Sequence, residues 1–383
     1  MIVWVIGRNY PLPENGMSGS FELEQAKMLS RFGNDVRYLA CTLHPVKRTG
    51  GRTGIWSRTD EGVKVSVLSA FFAPRVYPAY FVGARNRLWK QLLGEVEKNG
   101  GLPDVIHVHY PAMLMLADAL APYREKGVRI VSTEHWSKVL ARRLDRIERR
   151  EYRKFAGVAD HMLCVGRPLS EAVRDYTGKD AAVVPNIVSE RFRPASEGHE
   201  GFRFVAVGRL IKLRQFDRII EAFCDCFLGR KDVTLTIVGG GEEGKRLRRL
   251  IAKRGAAEQV FLTGSQTGEK TAERVAGCDA LVCYSALETF GVPIIEAWAC
   301  GLPVVATTAA AVLDRFDERL GVEVSFDDDD GLKNALRSVY AHRDGYDGAF
   351  IREFALARFS EAAVYERLLQ IYRGEKSTKR SEW

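Results

Sequence analysis

The sequence lacks any run of roughly 20 uninterrupted apolar residues, so it offers no candidate membrane span. Its first apolar run, Met1 to Gly7, is shorter than the core of a secretion signal and leads straight into a glycine- and proline-marked loop. Cysteine is sparse and scattered, at Cys41, Cys164, Cys224, Cys226, Cys278, Cys283 and Cys300, which fits neither a disulfide framework nor paired CxxC metal knuckles. A reducing cytosol is the compartment this implies. Internal repeats and low-complexity blocks are absent. Gly7-Arg8-Asn9, after the first apolar run, lacks the glycine fingerprint that a nicotinamide dehydrogenase needs. No nucleic-acid-binding module accompanies the net charge of +8, so nucleic acid is not an expected partner.

What is present describes a folded protein. Hydrophobic residues make up 46% of the 383 positions and charged residues 28%, a length and composition that predict two domains with substantial cores. Met1 to Ile6 reads as a buried strand and Phe21 to Phe32 as an amphipathic helix with Phe21, Leu23, Ala26, Met28 and Leu29 as apolar candidates. Val36 to Ala40, Val105 to Val108 and Val128 to Ser132 continue a strand-and-helix alternation. The pattern restarts after the loop signals between Pro185 and Gly201, with strands at Phe204 to Val207, Thr234 to Val238, Val260 to Thr263, Ala280 to Cys283 and Val304 to Ala306. The expected fold class is therefore α/β, two doubly wound Rossmann-like domains (residues 1–190 and 191–357) facing across a cleft. The helix within 358–375 is expected to pack back on the first domain.

One segment carries readable chemistry. Glu288-Thr-Phe-Gly-Val-Pro-Ile-Ile-Glu296 follows a predicted strand and opens a short helix, with Gly291 permitting close backbone approach and Pro293 suited to the first turn. Free N–H groups around Phe290, Gly291 and Val292 would bind phosphate at the positive end of that helix. Glu288 and Glu296 would be repelled by a diphosphate. They are better suited to accepting hydrogen bonds from sugar or ribose hydroxyls.

The string ETFGVPIIEAWACGLPVVAT, with seven residues between its glutamates, resembles the retaining glycosyltransferases of family 4, whose fold is the two-Rossmann-domain GT-B type. The resemblance implies that Glu288 contacts the donor sugar and Glu296 the ribose hydroxyls. It also implies that Arg209 and the cation five residues on, here Arg214, clamp the diphosphate. Lys212 could substitute for either. Gly239, Gly240 and Ser265 fall in loops that the family places around the nucleotide. In the first domain one of two glycines that usually stand together is Gly16, and the other position is Met17. His135 matches a histidine that lies near the donor sugar; His107 alternates inward as a core residue, and His109 falls between the two readings.

The implied activity is transfer of a sugar from a UDP- or GDP-linked donor to a glycan or lipid-linked acceptor in cell-surface polysaccharide assembly, with retention at the anomeric carbon. No metal or other cofactor is expected, because arginines neutralise the diphosphate. The acidic run Asp327 to Asp330 is too contiguous for a chelating loop and reads as a turn or helix start. Aromatic and basic residues mix between Phe71 and Lys90, and Arg142 to Lys154 is basic. Either a peripheral contact with an anionic membrane or a packed helix would account for the first stretch. Competing readings are a nucleotide-sugar epimerase of the same fold and a catalytically weak, membrane-associated homologue.

Overall fold

The computed structural model describes residues 1–12, 18–45, 53–72, 78–314 and 316–375. The described chain divides into two compact units, one of Met1–Pro185 with residues 365–375, the other of Asn186–Val364.

In the first unit the strands are β1 (Ile2–Gly7), β2 (Asp35–Pro45), β3 (Gly54–Asp60), β4 (Val63–Phe72), β5 (Val105–His109), β6 (Arg129–Glu134), β7 (His161–Cys164) and β8 (Ala181–Val183), in the sheet order β3-β4-β2-β1-β5-β6-β7-β8. All neighbours are parallel except the hairpin β3–β4. The central strands are apolar throughout because helices cover both faces of a parallel sheet; Val3, Trp4, Val5 and Ile6 of β1 are fully buried.

The helix Ser20–Arg31 buries Leu23, Ala26, Met28 and Leu29. Phe21, expected among them, is instead exposed. The buried arc takes in Glu22 and Lys27, which are held by partners: Arg8 meets Glu22 at 2.7 Å, and Lys27 meets Glu61 at 2.8 Å and Asp60 at 3.2 Å. The last helix, Glu361–Arg373, also belongs to this unit through its outer part: the Tyr365 ring stacks on Phe32 at 4.3 Å and the Tyr372 hydroxyl bonds His107.

The second unit holds β9 (Phe202–Val207), β10 (Val233–Val238), β11 (Val260–Leu262), β12 (Ala280–Cys283), β13 (Val304–Thr307) and β14 (Gly321–Val324), all parallel, in the order β11-β10-β9-β12-β13-β14. Phe204, Phe223, Phe227, Leu235 and Ile237 centre its core. The order reverses between β9 and β12. Ligands of doubly wound sheets bind outside the carboxyl ends of strands at such a switch point, and here the loops after β9 and β12 carry Arg209, Arg214 and Glu288. Among the described residues no helix is long and apolar enough to cross a membrane.

Candidate functional site

After β12 the chain runs to Glu288, which forms a parallel bridge with Ala310, and Gly291 turns it at φ 105° into the helix Val292–Ala299. A side chain at Gly291 would press on Ile294 Cδ1 at 2.9 Å, so glycine is required on both counts. Pro293 stands in the first turn, and no side chain caps the helix. The first-turn N–H groups therefore remain available to an anion. Phe290 contributes backbone only, because its ring is buried edge-on against Phe359 at 5.9 Å.

Glu288 is buried and forms an ion pair with Arg214, whose Nη1 also donates to Ser285 Oγ at 3.3 Å. The structure thus brings together two residues that the sequence placed on different parts of a donor. Arg209, on the same loop after β9, is exposed and has no ion pair or side-chain hydrogen bond among the described residues; Lys212 is exposed likewise.

Glu296 lies one turn into its helix, partly buried. Nothing among the described residues hydrogen-bonds its carboxylate. Burial pushes its pKa up to about 8, and nearby Arg191 offsets only part of that cost. A carboxyl group in such a place, with no hydrogen-bond partner among the described residues, has oxygens able to accept from hydroxyls.

The glycines of the neighbouring loops serve backbone packing. Gly239 N donates to Gly264 O, Gly208 N to Val238 O and Leu210 N to Gly240 O, each at 3.0 Å. A Cβ on Gly239, at φ 150°, would overlap the Gly208 carbonyl oxygen, and one on Gly240 would overlap Ser265 Oγ. Ser265 itself is exposed. Gly239→Ala should therefore cost about 2–4 kcal/mol, as core overpacking and backbone strain combine. Urea unfolding of the variant checks this, and an unchanged midpoint would refute it.

In the first unit β5 and β6 end side by side and place three histidines in a column. His107 is fully buried, with Nδ1 2.6 Å from the Tyr372 hydroxyl and Nε2 2.7 Å from Thr133 Oγ1. Its ring stacks on His109, His109 on His135, and His135 on Tyr110, with centroid separations of 4.6, 5.2 and 4.9 Å. Arg8 lies over the Tyr110 ring at 3.7 Å. Burial above all, then the Arg8 charge and neighbouring His107, lowers the pKa of His135 to about 3. The same dry setting keeps His107 and His109 neutral. Glu134, before His135, accepts from the backbone N–H groups of His135, Trp136 and Ala112 at 3.0, 2.9 and 3.2 Å.

Sequence reasoning passed over the Arg8–Glu22 pair and left His109 undecided. The available signal was a charged residue directly after the first buried strand. Gly16 and Met17 lie outside the described residues, as do residues 73–77 of the aromatic and basic stretch. The described part of that stretch is largely a packed helix, Pro78–Lys98, with Trp89 buried and Arg85 donating to the Met113 carbonyl at 2.6 Å. Asp328 caps the helix Asp329–Ala341 through Gly331 N at 2.7 Å, and Asp329 pairs with Arg218. Among the described residues, no group of three or more His, Cys, Asp or Glu is arranged to hold a metal ion.

Two family models match: "Glycosyltransferase Family 4" over residues 21–192 and "Glycosyl transferases group 1" over 188–347. The N-acetyl-alpha-D-glucosaminyl L-malate synthase of Bacillus anthracis is 23% identical over 78% of this chain and 78% of its own length. A GDP-mannose-dependent phosphatidylinositol monomannoside mannosyltransferase of Mycolicibacterium smegmatis is 26% identical over 76% and 81%. Among solved structures, sucrose-phosphate synthase of Thermosynechococcus elongatus aligns with TM-score 0.76 at 17% identity over 98% of both chains. Anabaena HepE in complex with UDP-glucose aligns with TM-score 0.75 at 17% identity over 98% of this chain and all of its own (100%).

Proposed function

Because the chain belongs to glycosyltransferase family 4, with the paired Rossmann-like domains of the GT-B fold, we propose that its second unit binds a UDP- or GDP-linked sugar. The sugar then passes, with retention, to a glycan or lipid-linked acceptor. The observation that carries the donor reading is Glu296: a desolvated carboxylate with no hydrogen-bond partner among the described residues, and only the nearby Arg191 charge to offset its burial, is costly unless a ligand supplies hydroxyls, as a ribose does.

The remaining roles follow from charge and placement. Arg209, exposed and unpaired among the described residues, takes the diphosphate together with the N–H groups at Gly291 and Val292. Arg214 joins them when it exchanges Glu288 for phosphate. As the bond to the sugar breaks, negative charge grows on the leaving oxygen, and these fixed cations stabilise it more than water can. Glu288, once released, accepts from a sugar hydroxyl. With two arginines and a helix N-terminus matching the diphosphate, no metal ion is called for. Ser265, exposed beside Gly240, borders the base.

A lipid-linked acceptor is supported by the face of the helix Arg146–Val158. Arg146, Arg149 and Arg153, with Arg143 just before it, are exposed and have no carboxylate partner among the described residues. Such a face suits an anionic leaflet, which would hold the protein at the cytoplasmic side of a membrane. The mannosyltransferase relative acts on a phosphatidylinositol mannoside by its name.

The test is a panel of UDP- and GDP-sugars screened by thermal shift, with and without a chelator. A rise in Tm of several degrees with one nucleotide class, unchanged by the chelator, is expected. No shift with any member at millimolar concentration would overturn the donor reading.

A further inference from the structure

Neutral imidazole has one N–H and one bare nitrogen, so the partner of one ring nitrogen determines what the other can offer. His135 Nε2 and His109 Nδ1 are 2.9 Å apart, and both rings are neutral because they are buried beside Arg8. One of the two must donate and the other accept. The far nitrogens differ sharply. His109 Nε2 is fully buried with no hydrogen-bond partner, whereas His135 Nδ1 has no partner among the described residues and is not fully buried. His135 as a whole is 7% exposed.

If His135 donated, His109 would have to carry its proton on Nε2, as an N–H buried without an acceptor among the described residues, on a ring that already feels the positive charge of Arg8. The opposite arrangement leaves only a lone pair at that atom, which a neighbouring positive charge favours over an N–H dipole. His107 cannot reverse the choice, because both of its ring nitrogens are taken by the Tyr372 and Thr133 hydroxyls.

We propose that His109 is a positioning residue: it donates Nδ1–H to His135 Nε2 and so fixes His135 as the Nδ1–H tautomer, leaving that N–H as the donor His135 offers to an oxygen of the sugar or acceptor. His135 then acts as a neutral hydrogen-bond donor and neither as a cation nor as a proton acceptor. Tyr110 and Arg8 close the column at its other end, so the His135 ring has little freedom to turn and trade nitrogens. The ligand contact rests on the reading of the chain as a sugar transferase; the tautomer itself does not.

The experiment uses the full chain with nitrogen-15 in its histidines and reads ring tautomers from two-bond proton–nitrogen correlations. His135 is expected to show a protonated Nδ1 and a bare Nε2, unchanged between pH 8 and pH 6. His109→Leu should convert His135 to the Nε2–H form or a mixture, and His109→Asn, which keeps a donor at similar reach, should restore it. In transfer assays His109→Leu should raise KM for donor or acceptor at least tenfold, with recovery in His109→Asn. A wild-type spectrum with the proton on His135 Nε2 would overturn the proposal, as would a His135 tautomer indifferent to His109→Leu. Should the leucine variant fail to fold, the wild-type spectrum alone decides. Failure of every nucleotide sugar to bind would overturn the donor reading and leave the tautomer result intact.

Discussion

Glu288→Gln should lower kcat for sugar transfer by roughly 10²–10³ while nucleoside diphosphate binds more tightly than to the wild type. The two effects separate because the proposed function gives Glu288 two roles. Its carboxylate pairs with Arg214, and a phosphate would have to displace it to recruit that guanidinium. Glutamine keeps the shape and lets Arg214 go, so binding of the diphosphate alone gains. The reacting sugar meanwhile loses a charged acceptor that would be strongest when positive charge develops at the anomeric carbon. Calorimetry with UDP and GDP beside steady-state kinetics distinguishes this from a general loss. Weaker diphosphate binding in the variant would mean that the ion pair organises the site and does not compete for it.

The second large effect has opposite signs in stability and function. Glu296 has a folded pKa of about 8 against about 4.5 unfolded, so its burial is tolerated while it is protonated and penalised once the unfolded chain ionises. Stability from this group is lost as pH rises from 4.5 to 8, and Glu296→Gln removes the loss. The variant should be more stable by on the order of 3 kcal/mol at pH 8, with the advantage shrinking toward pH 5. Donor affinity should fall roughly 10- to 100-fold, as charge-assisted bonds to two hydroxyls are weakened. Chemical denaturation at several pH values and titration with the donor measure both. A variant no more stable at pH 8 than the wild type would show that the carboxylate has a protein partner after all. The buried histidines act in the other direction: their pKa values are lowered, so the stability they contribute is complete above about pH 6.5 and declines as acid charges them in the unfolded chain.

Most of the central parallel strands could be read from sequence to within about two residues, because each is a short apolar run between turn signals, buried on both faces. But β2 runs five residues past its expected end, to Pro45, and β7, β8 and β14 were not read at all. Ala280–Cys283 has the predicted bounds. The hairpin β3–β4 was not legible. β3 is largely exposed, and its residues Gly54 to Asp60 mix polar and aromatic types without the alternation that a half-buried strand displays. Phe21 misled for a related reason. Periodicity locates an apolar arc, but a buried Arg8–Glu22 pair can turn a helix so that a charged residue occupies it. Candidate site residues with a local motif, Glu288 and Glu296, were visible. The contacts Arg214–Glu288 and His109–His135 were not, since each joins residues from different strand ends and depends on sheet order.

The interlocked turns after β9, β10 and β11 bear on any attempt to change the sugar nucleotide proposed as the donor. Gly208, Gly239, Gly240 and Gly264 are committed to one another through main-chain contacts, so a library that randomises them would mostly return misfolded clones. Ser265 and Lys212 lie on the same turns with exposed side chains, whereas the Gln266 amide is tied to the Thr263 carbonyl at 3.0 Å. On the proposed donor reading, diversity placed at Ser265 and Lys212 would sample new base and sugar preferences on an unaltered scaffold.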